Sequence, residues 1–290
     1  MRSIVVVVSL GLAACDSGSP GSGDAGPGAD GAAGTTDGAT GDAAAGLDCS
    51  ARPLCVTFDD LAAGALADGA RLGDLRAEVG DSGSLAIDTT RAYSGGHSLH
   101  AHVDGGQRGG GRIWAEGGAL FAPTQRHLYG RFMMWNQSAA SSVHWTIAGA
   151  SGVVPAGSPA AGHTTTYLYS AADDGKFMAV FYDNQTAQDC WHHSDEPIPV
   201  APPGDAWTCV AFEADADGIR YRLGIDGRDV PSFAVDTTGD GCLNAPAMTP
   251  WYGPDFERLY LGALSFHPMT GPLDVWFDDL VVDTAPVACP

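Results

Sequence analysis

Residue types suited to proton transfer recur on three neighbouring predicted strands. Along residues 143–148 apolar and other side chains alternate, so His144 points away from the face that carries Val143 and its apolar partners. The same alternation puts Tyr167 and Tyr169 together on one face of the next strand, and Tyr182 on one face of the strand after it. Imidazole and phenol groups serve as general bases and acids. We therefore expect a cleft that joins His144 to these tyrosines, and alternation leaves open which sheet face lines it.

Aromatic side chains near these strands are suited to carbohydrate contacts, because their flat apolar faces can stack on sugar rings. Trp207 is better explained as a core residue. Trp191 and His192 lie beside a proline-rich segment, where sugar contact and packing on a disulfide are equally good explanations. The predicted carbohydrate-binding residues are Tyr182, Trp191, His192, Arg112 and Trp114.

The charge composition restricts which classes of molecule the protein is expected to bind. The chain has 290 residues, with 35 acidic against 14 basic side chains and a net charge of −21. Phosphate recognition needs clustered cationic side chains, so nucleic acid is excluded as an expected partner. This length fits one large domain or two small ones.

The first 47 residues are predicted to be a signal peptide followed by a tether. Residues 1–15 contain Arg2 and a short apolar run, and end in Leu12-Ala13-Ala14-Cys15, which resembles the bacterial lipobox. That resemblance implies cleavage before Cys15 and attachment of lipid to it, hence an exported lipoprotein of the cell envelope, at the outer membrane or cell surface. Residues 16–47 are rich in Gly, Ala and Asp and are predicted to be a disordered tether.

Six cysteines follow Cys15, an even number that suggests disulfides in an exported chain. Fifteen connectivities are open to six cysteines. Cys190 and Cys209 flank a proline-rich segment and are predicted to close it. Cys55 and Cys289 lie just outside the first and last predicted strands and can pair if those strands are neighbours. The remaining cysteines, Cys49 and Cys242, would then be left to each other.

Residues 48–290 are predicted to form one all-β domain. Short runs with a period of two recur between clusters of Gly, Asp and Pro, and helical periodicity is weak and confined to 61–77. This pattern is typical of a two-sheet antiparallel jelly-roll sandwich. The predicted strands are 98–103, 130–135, 143–148, 165–169, 177–182, 208–213, 220–225, 258–262 and 275–282.

The order of short motifs resembles concanavalin A-like jelly rolls. More narrowly, it resembles the family of the secreted fungal cellulose-induced protein, whose core is similar to glucuronan and alginate lyases. The motifs are Phe58-Asp59-Asp60, 93–99, 129–135, His144-Trp145, 190–194, 207–210, 225–227, 259–262 and 276–282.

The resemblance implies two functions for the domain, polysaccharide binding and β-elimination of uronate polymers. A lyase would use His144 as the base, Tyr167 or Tyr169 as the acid and Arg131 as the partner of the substrate carboxylate. The Arg-x-Glu-x-Arg and Gln-x-His strings of alginate lyases do not occur, and Ser142 stands where that Gln would precede the histidine. We therefore expect a monomeric polysaccharide-binding domain, with a lyase as the alternative and a structural or protein-binding envelope module as a third.

The acidic motifs near both ends of the domain predict a calcium site. Ca²⁺ takes six to eight oxygen ligands from carboxylates, carbonyls and water. In similar jelly rolls a structural calcium joins the first strand, an early Ser/Gly loop and the last strand. The matching residues are Asp59, Ser94, Asp278 and Asp279, for which exposed edge carboxylates are the other explanation.

Overall fold

A computed structural model describes residues 47, 49–117, 119–122, 125–137, 143–198 and 207–290. The predicted signal peptide with Cys15, and the predicted tether up to residue 46, lie outside the described residues. Ser142 lies outside them as well. Within the described ranges, no helix is long and apolar enough to cross a bilayer.

The regular secondary structure of the described chain is almost entirely β-strand, with short 3₁₀ turns at Ala119–Phe121 and Pro231–Phe233. The strands are β1 (Leu54–Val56), β2 (Gly64–Ala65), β3 (Arg71–Leu72), β4 (Leu75–Val79), β5 (Gly83–Asp88), β6 (Ser98–Val103), β7 (Gly109–Glu116), β8 (His127–Asn136), β9 (Trp145–Val153), β10 (Thr164–Ala171), β11 (Lys176–Asp183), β12 (Gln188–Pro197), β13 (Thr208–Asp215), β14 (Arg220–Ile225), β15 (Arg228–Asp229), β16 (Val235–Asp236), β17 (Gly241–Leu243), β18 (Asp255–Ser265) and β19 (Leu273–Asp283).

Two antiparallel sheets pack face to face. Sheet A has the order β15-β14-β13-β8-β19-β6-β5-β2, with β1 added beside β19 and β16 beside β14. Sheet B has the order β17-β12-β11-β10-β9-β18-β7-β4-β3. The chain crosses repeatedly between the sheets, so the predicted all-β jelly-roll sandwich of the concanavalin A-like type is confirmed.

The core lies between the sheets and is built by alternation along the strands, which register shifts interrupt in β9, β18 and β19. Phe132 and Phe277 enter it from sheet A, and Tyr167 and Phe181 enter it from sheet B, all almost fully buried. All nine predicted strands are present, with shifts of a few residues at their ends. Periodicity located them because each strand presents one face to this core.

The weak helical periodicity over 61–77 does not correspond to a helix in the structure. The segment forms the short strands β2 and β3 and most of β4. Gly64, Gly69 and Gly73 there adopt positive φ angles of 134°, 78° and 63°, which place turns where a helix would need continuous right-handed backbone.

Three disulfides join Cys49 to Cys55, Cys190 to Cys242 and Cys209 to Cys289, so the predicted pairs Cys190–Cys209, Cys55–Cys289 and Cys49–Cys242 are all wrong. Cys190 and Cys209 lie in different sheets, on β12 and β13, whereas β17 places Cys242 directly opposite Cys190. Three disulfides are typical of exported proteins.

The strands β1 and β19 are indeed neighbours, but their pairing does not bring the expected cysteines together. Cys55 lies opposite Val281, eight residues before Cys289. The chain after β19 instead brings Cys289 to Cys209 on β13, which lies beyond β8, on the side of β19 away from β1.

Candidate functional site

A row of side chains crosses the outer face of sheet B, and we call it the central row. Each member lies directly opposite the next in the strand register, so the row runs perpendicular to the strands over seven of them. At about 4.8 Å between strands, it is about 29 Å long. From one end to the other the central row consists of Trp191, Val180, Leu168, Gly149, Tyr260, Trp114 and Arg76.

The apolar part of the central row is a cluster separate from the core. Leu168, Val180 and Met178 are buried against one another on the outside of sheet B, and the partly buried Trp191 packs on them. Gly149 makes room for this cluster, since a Cβ there would lie 2.6 Å from the Cδ2 of Leu168. The floor of the face is therefore closely packed and apolar, with aromatic rings toward both ends.

A polar row flanks the central row on one side. Its members also face each other strand by strand, so hydroxyl, carboxylate and guanidinium groups run parallel to the aromatic line. The members are Asp189, Tyr182, Thr166, Ser151, Arg258 and Glu116.

Where the central row ends at β12, it opens into a groove of ≈ 360 Å³, which we call the histidine groove. Apolar side chains form part of the wall, and three histidines and two aspartates project into the same space. The lining residues are Val143, His144, Asp173, Met178, Val180, Asp189, Trp191, His193, Leu243 and His267.

Two of these histidines are held close together by a buried serine. The ring centres of His144 and His267 are 5.2 Å apart, with the ring planes at 71°. The single hydroxyl hydrogen of Ser265 is shared between the backbone carbonyls of His267 at 2.8 Å and His144 at 3.3 Å, and the hydroxyl oxygen accepts the His267 backbone N–H at 3.3 Å. Ser265 is 2% exposed. Its hydrogen bonds, which we call the Ser265 clasp, fix the end of β18 against the start of β9.

Burial sets the protonation of the groove. It lowers the pKa of His144, and the neighbouring His267 lowers it further while Asp173 opposes the shift. Burial raises the pKa of Asp189, with His267 opposing. The groove thus holds an imidazole that favours its neutral form beside a carboxyl group that resists ionisation, a combination suited to proton exchange with a ligand.

The tyrosines predicted to share a cleft with His144 lie elsewhere, so that expectation is wrong for Tyr167 and Tyr169. Both point into the core, where Tyr167 stacks on Tyr221 with ring centres 4.3 Å apart. Burial raises the pKa of both phenols. Alternation along β10 was correct, but Leu168 is the residue that faces outward, because the larger aromatic rings fill the space between the sheets.

The two tyrosine hydroxyls differ in a way that stability measurements can detect. The Tyr169 hydroxyl donates to the Glu213 carbonyl, whereas the buried Tyr167 hydroxyl has no hydrogen-bond partner among the described residues. We expect Tyr169→Phe to lower the free energy of unfolding by about 1 kcal/mol, and Tyr167→Phe to leave it unchanged or raise it. Denaturant titration of both variants measures this, and an equal loss in the two would contradict it.

Arg131 is also far from His144 in the fold. It lies on β8 in sheet A, on the side opposite the core residue Phe132, and is 5% exposed. Burial lowers the pKa of its guanidinium, with Asp279 opposing. The expectation that Arg131 and His144 act together at one substrate is wrong, because the consecutive strands β8 and β9 belong to different sheets.

Four of the five predicted carbohydrate-binding residues do share the outer face of sheet B, namely Trp191, Trp114, Arg112 and Tyr182. The Arg112 guanidinium lies 4.2 Å from the ring centre of Tyr260 and donates to both carboxylate oxygens of Glu78, at 3.0 and 3.1 Å.

Trp114 lies between two guanidinium groups at the other end of the central row. Those of Arg258 and Arg76 are 4.5 and 5.5 Å from its ring centre. This end of the row is therefore an aromatic ring framed by cations, one of which, Arg258, is paired with Glu116 at 2.6 Å.

His192 lies on the opposite face of β12, so its predicted place beside Trp191 at the ligand is wrong. It is opposite the core residue Ala179 in the register. Both ring nitrogens are engaged, one with Asp240 at 2.8 Å and the other with the Ser232 carbonyl at 3.0 Å. Trp207 packs edge-on against Tyr93, 6.2 Å between ring centres.

The residues predicted to bind calcium come together at one edge of the sandwich. The Asp278 carboxylate accepts the N–H groups of Tyr93 and Ser94 at 2.8 and 3.2 Å, and the Ser94 hydroxyl donates to Asp279 at 2.7 Å. Asp59 accepts the N–H groups of Gly96 and His97 at 2.7 and 3.1 Å. The first strand region, the Ser/Gly loop and the last strand are thus joined through carboxylates.

This calcium prediction fits the chemistry of its donor groups. Asp278 and Asp279 are 0% and 4% exposed, and burial raises the pKa of both. Gly95, at φ 58°, has no side chain where a Cβ would lie 1.9 Å from an Asp59 oxygen. The Arg131 guanidinium offsets part of the negative charge of Asp279. Hard oxygen donors in a closed loop suit Ca²⁺, which would replace the protons that burial favours.

Sequence reasoning missed a second acidic cluster on the outer face of sheet A. Among the described residues, His127, Glu213 and Asp215 form a group with ligand atoms all within 4.8 Å of one another. His127 bonds to Glu213 at 2.7 Å, and Asp215 is already taken by Arg220 and by the N–H groups of Asp217 and Gly218. It also missed His267, Asp189 and Tyr260, whose place on the face depends on strand order.

No family model and no curated protein sequence matches the chain. Among solved structures, the cellulose-induced protein Cip1 is similar over 75% of this chain and 94% of its own, with 18% identity and a TM-score of 0.52. Alginate lyase vAL-1 from Chlorella virus is similar over 73% of this chain and 93% of its own, with 11% identity and a TM-score of 0.45. At these identities the likeness to Cip1 shows the fold, which is the concanavalin A-like sandwich expected from the motifs.

Proposed function

We propose that the outer face of sheet B binds an extended polysaccharide chain along the central row. The observation that carries this proposal is the register itself, which aligns Trp191, Tyr260 and Trp114 on one line, with Trp191 and Trp114 about 24 Å apart. Pyranose rings have apolar faces that stack on aromatic rings, and burying those faces is favourable in water. A linear ligand would contact several sugar units along this line.

The polar row supplies the hydrogen bonds that such a ligand needs. Tyr182, Thr166 and Ser151 offer hydroxyl groups that donate or accept, and Asp189 offers a carboxyl group at the groove end. Sites of this kind combine an apolar platform with a few polar groups that fix orientation. The parallel rows therefore match the two sides of a sugar chain.

The charges on the face favour a neutral glycan over a polyanion. Arg112 and Arg258 lie beside the aromatic rings, but each is paired with a glutamate, at 3.0 and 2.6 Å. The chain as a whole carries −21, which repels polyanions at long range. We therefore expect the tightest binding among neutral polysaccharides.

The test measures binding of soluble polysaccharides to variants of the aromatic residues. We expect Trp191→Ala and Trp114→Ala each to weaken binding about tenfold, which corresponds to about 1.4 kcal/mol of lost stacking. Trp207→Ala is the matched control, since its ring lies against Tyr93 and away from the central row. Isothermal titration against a panel of neutral and uronate-containing polymers gives the affinities.

The outcomes separate the proposal from its alternatives. A panel without any binding favours a structural or protein-binding module, and equal losses in all three tryptophan variants contradict the central row. The polysaccharide lyase remains an alternative, supported by the position of His144 in the groove, where burial lowers the pKa of its imidazole. Ultraviolet absorbance of an unsaturated uronate product, lost in His144→Ala, would establish it.

We also propose that the domain is exported and held at the cell envelope through lipid on Cys15. The apolar run, the Leu12-Ala13-Ala14-Cys15 string and the three disulfides support export. Lipid chains anchor a protein to a membrane surface without crossing it. Metabolic labelling with a fatty acid, lost in Cys15→Ser, tests this assignment.

A further inference from the structure

The histidines of this chain fall into two groups that differ in what their rings contact. Six of the nine have a ring nitrogen hydrogen-bonded to a carboxylate or a carbonyl, namely His97, His100, His102, His127, His163 and His192. The ring nitrogens of His144, His193 and His267 bond to no described residue, and these are the three that line the histidine groove. Unengaged imidazoles are therefore concentrated at one place in the fold.

The spacing of two of these rings matches a shared metal ion. With metal–nitrogen bonds of about 2.0–2.1 Å and tetrahedral angles, two imidazoles on one ion have ring centres about 5 Å apart. The observed separation of His144 and His267 is 5.2 Å, and the planes are inclined by 71°. The Ser265 clasp holds both backbones in place without using either ring.

We propose that the histidine groove binds one divalent transition-metal ion, such as Zn²⁺, through His144 and His267. Two carboxylates, those of Asp173 and Asp189, line the same groove. His193 projects from β12 into the same groove. Imidazole and carboxylate ligands together suit zinc, and an open groove leaves a coordination position for water or a ligand.

The tighter cluster of His127, Glu213 and Asp215 is less suited to such an ion. Arg220 already donates to Asp215 and lies 3.9 Å from Glu213, so a fixed positive charge occupies the place of a cation. His127 is bonded to Glu213 through Nε2. This cluster thus supplies an internal control for binding at the groove.

The experiment is zinc titration by calorimetry, together with the absorption spectrum of the Co²⁺ form, both in excess Ca²⁺ to occupy oxygen-only sites. We expect one equivalent bound by the unaltered chain and Co²⁺ bands of four-coordinate geometry. Loss of an outer-sphere partner costs 10–100-fold in affinity, so loss of a direct ligand in His144→Ala or His267→Ala should cost at least about 100-fold. His127→Ala and His163→Ala should bind as the unaltered chain does.

Two separate ligand variants keep the test valid even if one of them fails to fold. His267 is exposed, so His267→Ala should fold normally even if His144→Ala does not, and melting curves of both show this. Absence of zinc binding, binding that survives His267→Ala, or binding lost in His127→Ala would each overturn the proposal. Glycan affinity measured in chelator is a separate readout, because the central row does not depend on the ion.

Discussion

Replacing Cys209 and Cys289 with serine is expected to lower the free energy of unfolding by about 4 kcal/mol. This disulfide joins residues 80 apart in the sequence, so it removes much of the conformational freedom of the unfolded chain. It also holds the segment after β19 against β13, on the far side of the sandwich from the central row.

The matched comparison is the pair Cys49→Ser and Cys55→Ser, which opens a loop of only 6 residues and should cost about 2 kcal/mol. Guanidinium titration under non-reducing conditions measures both losses. Glycan affinity should be unchanged in either variant, because neither disulfide touches sheet B. If opening the short loop costs as much as opening the long one, chain entropy does not explain the stabilisation.

The strands were predictable from the sequence because a period of two is a local property. Alternation identified which side chains share a face of β10 and β11, but it left open whether the face that carries Tyr182 points inward or outward, and no strand was predicted over β12, which carries Trp191. The inward or outward choice is not local. Tyr167 lies inward and Leu168 outward because of what the opposite sheet supplies, here the stacked ring of Tyr221.

The candidate site was only partly predictable, because it depends on strand order and register. Tyr260 and Trp114 are more than a hundred residues apart, and they become neighbours only because β18 pairs with β7. His267 joins His144 for the same reason, through β18 and β9. The disulfide pairs were wrong for the same reason. The approach of Asp59, the Ser94 loop and Asp278 was expected from the resemblance to jelly rolls, and calcium binding there stays a prediction.

The largest pH effect is expected at Asp278. Burial raises the pKa of Asp278 to about 7, although three backbone N–H groups favour its ionised form. The folded chain therefore holds this proton more tightly than the unfolded chain, whose pKa is near 3.8. The stabilisation is fully present below the unfolded pKa and is lost as pH rises through about 7. The shift corresponds to about 4 kcal/mol.

The difference between the unaltered chain and Asp278→Asn isolates this effect from other carboxylates. In calcium-free buffer, we expect the free energy of unfolding of Asp278→Asn, relative to that of the unaltered chain, to increase between pH 4 and pH 8. The reason is that an amide cannot ionise, so the variant does not lose the stabilisation that the unaltered chain loses. Asp229→Asn, an exposed carboxylate on β15, should show no such trend. A difference that does not vary with pH would contradict the raised pKa.

Adding calcium at pH 8 should make the unaltered chain more stable than Asp278→Asn. Ca²⁺ bound only to the folded chain stabilises it, and it needs the ionised form of Asp278 that burial alone disfavours. The melting temperature of the unaltered chain should therefore rise with Ca²⁺ and fall with chelator, while Asp278→Asn should respond to neither. Identical melting curves of the unaltered chain with calcium and with chelator would rule out calcium at Asp59, Asp278 and Asp279. The buried carboxylates would then be held by protonation and by their contacts with the Ser94 loop alone.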